Sequence, residues 1–112
     1  MKFEEIKDED IWILKFLEDR FDSMSVSDFK EKITAEVENG NNKILLNLNY
    51  VDFVDSSGLA ALVYCFKIIG AGGKFGICQP KDTVMSMLKL TRMDRVFKIY
   101  ESEEQAISDF KK

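Results

Sequence analysis

Histidine is absent from the 112-residue chain. That absence removes every Ser-His-Asp and Cys-His mechanism within one chain, and all imidazole metal ligands. Cysteine occurs only at Cys65 and Cys78. Two are too few for a disulfide scaffold, so both read as reduced core or helix residues. No apolar run approaches the ~18 residues of a membrane span. The opening Met1-Lys2-Phe3-Glu4-Glu5 lacks the basic-then-apolar layout of a signal peptide, so a cytoplasmic location is expected. Acidic residues outnumber basic ones 20 to 16, for a net charge of -4. No basic field is available to replace counterions on nucleic acid or to settle on an anionic membrane.

What is present suits one α/β domain over residues 1–112. Hydrophobic residues make up 46% of the chain, enough for a core. Phe3 to Lys7 and Ile11 to Leu17 read as strands joined by the Asp8-Glu9-Asp10 turn, a hairpin. After a charged loop, Ser25 and Asp28 have the spacing of a capping box for a helix that Asn39-Gly40 stops. Lys43 to Leu48 is nearly continuous in apolar character, as a central strand covered on both faces would be. A helix over Leu59 to Ile69 follows, then Gly70-Ala71-Gly72-Gly73 and a strand at Lys74 to Cys78. Pro80 is expected in the first turn of a third helix. A last strand spans Val96 to Tyr100, and Ser102 with Gln105 forms a capping box for a terminal helix. Strands alternating with helices predict a mixed, mostly parallel sheet of about five strands with four helices.

The junction Asp55-Ser56-Ser57-Gly58 sits where a strand end meets a helix start, the place where open α/β sheets meet ligands and partners. Ser and Asp there also serve simply as helix caps, and Gly58 as a close-packing residue. With Leu59 at the centre of a helical wheel, Leu62, Val63 and Phe66 form a core face. Ala61, Tyr64, Cys65 and Ile68, with Ser57, then fall on an apolar outer row. That row is expected to be a docking surface for another protein, unless another part of the chain covers it. A phosphate on either serine would meet the helix dipole and free amides while bringing about -1.5 to -2 charges to the rim of the contact face.

Val54-Asp55-Ser56-Ser57-Gly58-Leu59, preceded by a Leu-Asn-Leu strand and followed by an apolar helix, resembles the STAS domain. The likeness runs from Phe3 to the terminal helix and is closest to the small bacterial anti-sigma factor antagonists. The resemblance implies phosphorylation at Ser56 and supporting contacts from Asp55, Ser57 and Gly58. It implies a partner that is both anti-sigma factor and serine kinase, bound by the unphosphorylated form so that a sigma factor is released. A separate serine phosphatase would reset the switch. ATP and magnesium would belong to the kinase, leaving this chain with no cofactor or metal of its own. A second family motif, Gly-Glu-Leu-Asp, aligns with Asp19-Arg20-Phe21-Asp22. Only Asp22 matches, as a contact near the phosphosite, and the change to Arg20 alters the loop. Arg20 would either pair with a phosphate on Ser56 or stay solvated.

The rival reading is a STAS scaffold or transporter-associated subunit without a phosphorylation cycle. An enzyme using Ser56 as nucleophile and Asp55 as base lacks histidine, a nearby paired lysine and an oxyanion loop. Nucleotide binding has little support, because Gly70 to Gly73 follows a helix and precedes a strand, the reverse of a phosphate-cradling loop. Whether two copies pair weakly through the apolar helix is open.

Overall fold

In the computed structural model, which describes residues 2–112, the strands are β1 (Phe3–Asp8), β2 (Ile11–Phe16), β3 (Arg20–Phe21), β4 (Lys43–Asn47), β5 (Phe53–Val54), β6 (Lys74–Cys78) and β7 (Lys98–Tyr100). The helices are α1 (Val26–Glu38), α2 (Ser56–Ile69), α3 (Asp82–Leu90) and α4 (Glu103–Phe110). Five strands form one sheet in the order β1-β2-β4-β6-β7, with β1 antiparallel to β2 and the others parallel. The predicted hairpin, the central place of β4 and the four helices are all found. The remaining strands, β3 and β5, form a separate parallel pair of two residues each.

Alternation along the strands divides the interior. Trp12, Leu14, Phe16, Ile44, Leu46, Phe75 and Ile77 face the larger core, where α1, α2 and α3 pack. Ile11, Ile13, Leu45 and Cys78 face a smaller cluster closed by Ala106 and Phe110 of α4. Within the larger core, Phe16, Phe21 and Phe29 meet with ring centroids 5.0–5.5 Å apart. Each such buried ring contributes about 1.5–3 kcal/mol relative to exposure. The cluster also fixes β3, and through it the loop that follows.

Several local expectations are corrected. Ser25 does not cap α1 through its side chain; its hydroxyl turns back to the Asp22 backbone, donating to the carbonyl and accepting from the N–H at 3.1 Å. Pro80 lies before α3 rather than in its first turn, since Lys81 is the capping residue. Val96 and Phe97 fall in the exit from a 3-10 turn at Met93–Arg95, so β7 is shorter than read. Helix α2 starts three residues earlier than its apolar run, at Ser56. The Ser102 cap of α4 is present, accepting from the Gln105 N–H at 3.1 Å.

Candidate functional site

The site is built where β3 and β5 end side by side. Phe21, held by its aromatic neighbours, offers its carbonyl to the Asp55 N–H at 3.3 Å. Asp55 remains extended and caps α2, its carboxylate accepting from the Gly58 N–H at 2.9 Å and its carbonyl from the Leu59 N–H at 2.9 Å. Helix α2 must come very close to β3 here. A Cβ on Gly58 would lie 2.3 Å from the Phe21 carbonyl oxygen and 2.9 Å from Val54 Cγ1. Gly58 is therefore buried for packing, and its expected place in a partner surface is corrected.

Ser56 is the first helical residue and is exposed, while Ser57 is half-buried. Both precede the point at which helical N–H groups find partners four residues back. One helical step of about 100° separates the two hydroxyls. It leaves Ser56 in line with exposed Ala60 and Lys67, and turns Ser57 toward the side of Tyr64 and Ile68.

That second side is not a free docking row. Ala61 and Cys65 are wholly buried, and Ile68 packs against the core. Tyr64 is half-buried with its hydroxyl 2.6 Å from Thr34 Oγ1 of α1, and the Lys30 ammonium stands 5.3 Å from its ring centroid. Helix α1 covers this face, so Ala61 and Cys65 cannot contact a partner in the folded state. The buried side of α2 centres on Gly58, Leu62, Cys65 and Ile69, whereas Phe66, expected inside, is 40% exposed. Burial raises the thiol pKa of both cysteines, that of Cys78 to about 12, so neither is a ready nucleophile.

Exposed apolar side chains lie instead on the segments that flank β3 and β5. Met24 is 90%, Tyr50 54% and Phe53 43% exposed. The signal for them was modest: single apolar residues inside polar loops. Asp22 accepts from the Met24 N–H at 3.0 Å and from Arg20 Nε at 3.2 Å, so it organises this loop. Arg20 also stacks over Phe53, 4.4 Å from the ring centroid. Asp52 is paired with Lys81 at 2.6 Å, and its carbonyl accepts from the Thr83 hydroxyl at 3.0 Å. Among the described residues no cluster of acidic or thiol groups could hold a metal ion. No helix of the described residues is long and apolar enough to cross a membrane.

Residues 4–106 match the STAS domain family. A Thermotoga maritima protein provisionally named an anti-sigma factor antagonist is 36% identical over 86 residues, covering 75% of this chain and 76% of that protein. The crystal structure of an anti-sigma factor antagonist from Thermotoga maritima, likewise provisionally named, superposes with a TM-score of 0.91 at 30% identity, over 98% of this chain and 95% of that one. The Bacillus cell fate determinant SpoIIAA in its phosphorylated form shares the fold, with a TM-score of 0.75 at 20% identity over 96% and 98% of the two chains.

Proposed function

The chain belongs to the STAS family of anti-sigma factor antagonists, and we propose from that premise that it is a cytoplasmic partner switch controlled by phosphorylation of Ser56. The observation that carries the reading is the unequal presentation of the two serines. Ser56 stands exposed at the start of α2, and Ser57 is half-buried. A kinase must bring its active site to the hydroxyl, and only Ser56 offers open approach.

The partner is an anti-sigma factor that is itself a serine kinase, and a phosphatase reverses the modification. The contact surface is the rim around Ser56: Met24, Tyr50 and Phe53, the loop ordered by Asp22, and the exposed row of α2 through Ala60. Asp55 and Ser57 support this surface through the helix start, while Tyr64 and Ile68 contribute at most their half-exposed edges. A phosphate on Ser56 would place about two negative charges amid exposed apolar side chains. The α2 dipole and its free amides would tolerate it within the fold. A partner closing over it would have to desolvate an unpaired dianion, which is strongly unfavourable.

The test is phosphorylation by the cognate kinase with ATP and magnesium, located by mass spectrometry. Phosphate on Ser56, abolished in Ser56→Ala, is the expected result; undiminished modification of Ser56→Ala would sink the assignment. Ser56→Asp should weaken partner binding at least tenfold while shifting Tm by no more than about 2 °C.

A further inference from the structure

A second candidate site lies at the other end of α2. A groove of about 570 Å³ opens between the last turn of α2, the start of β6, the exit of the 3-10 turn and the end of α4. Its volume falls within the ~300–1,000 Å³ of small-molecule sites. Phe66, Phe75, Val96, Tyr100 and Phe110 supply its apolar lining. The N-terminal end of β7 leaves it uncovered, and Gly76 sets the position of its aromatic wall. Strand β7 begins opposite Gly76, so Lys74 and Phe75 run beyond its cover. Gly76 also has no side chain where a Cβ would lie 2.8 Å from the Tyr100 ring and 3.2 Å from Phe110. Both rings therefore lie close against β6 as a wall.

The rim is basic in a chain with four more acidic than basic residues. Lys67, Lys74 and Lys98 stand around it, against the single carboxylate of Asp109. Asp109 is engaged by the Tyr100 hydroxyl and by Lys98 at 3.6 Å. Lys74 donates to the Phe110 carbonyl at 2.8 Å, and among the described residues neither Lys67 nor Lys74 has a carboxylate partner. The carboxyl ends of α2 and α4 also face this region, each equivalent to about half a negative charge. Three ammonium groups, one carboxylate and two helix ends leave about one net positive charge. That balance matches a singly charged head better than a dianionic phosphate.

We infer that this groove binds a medium-chain carboxylate, its apolar body between Phe66, Val96 and Tyr100 and its head beside Lys67 and Lys74. The site is independent of the Ser56 switch, because α2 separates them by about 20 Å along its 14 residues. The experiment is an amide chemical-shift titration with sodium octanoate below its micelle concentration, run beside 1-octanol. Octanoate should give saturable shifts confined to residues 66–75, 96–100 and 109–110. Octanol should bind at least fivefold more weakly. Lys67→Met should lower octanoate affinity about fivefold without changing that for octanol. Val96→Trp, filling the groove from an exposed position, should abolish binding while the rest of the spectrum is retained. Equal affinity for octanol and octanoate, an unaffected Lys67→Met, or shifts scattered outside the groove would each overturn the inference.

Discussion

The closest approach in the candidate site is made by a residue with no side chain. Gly58 lets α2 rest on the β3 carbonyl, and the atom it would strike is backbone, which cannot rotate away. Gly58→Ala should therefore lower stability by about 1–3 kcal/mol, as overpacking does. The measurement is urea unfolding followed by the fluorescence of Trp12, the one tryptophan and a buried one. A loss under 0.5 kcal/mol would mean that α2 can slide outward at little cost. The same contact explains how neighbouring serines differ. With the helix seated on Gly58, one step of rotation separates an open hydroxyl at Ser56 from a half-covered one at Ser57. Close packing at Gly58 was legible in the tetrapeptide; the seating that separates the two serines was not, and the sequence allowed a phosphate on either residue.

At the scale of elements, helix starts show which capping signals the fold uses. Asp55 holds the α2 terminus with a side-chain bond, and Ser25 makes none to α1. Asp55→Ala should cost about 1 kcal/mol, read as a lowered urea midpoint with an unchanged slope. An unchanged midpoint would show that the β3 contact alone holds the start of α2. Strand β6 was legible to the residue because glycines precede it and Gln79-Pro80 follows. Strands β3 and β5 were not, since two residues carry no periodicity. The phase of α2 was misread for a related reason. An almost uniformly apolar helix has a period but no obvious origin, and Leu59 was an arbitrary zero. Lys67, its only charged residue, points to the solvent side that Ser56 and Ala60 share. What spacing could not supply was the position of α1, which closes over Tyr64 and Cys65.

For the whole molecule, the lack of histidine makes a prediction about pH. Asp10 and Asp109 are held below the ordinary 3.8 by hydrogen bonds from Lys43 and Tyr100. Both bind a proton less readily folded than unfolded, so their contribution is complete above 3.8 and lost as pH falls through the lower folded values. Lys111 is raised above 10.5, chiefly by Asp8, and the Cys78 thiol is pushed by burial from 9.0 to about 12. Those contributions are full below the ordinary values and vanish as pH rises through the folded ones. Tm should be nearly level from about pH 5 to 8 and decline on both sides, by calorimetry. A distinct step near pH 6.5 would contradict this.

The division of the interior into two unequal clusters has a kinetic consequence. Helix α4 is fastened by a cluster of six buried side chains, only two of them its own. With only two buried side chains of its own in that cluster, it can detach alone through sub-global opening below the free energy of complete unfolding. The cysteines report on the two sides separately, for Cys65 lies in the larger cluster and Cys78 beneath α4. In urea too dilute to unfold the protein, a thiol reagent should label Cys78 well before Cys65. Simultaneous labelling would show instead that the two layers open as one cooperative unit.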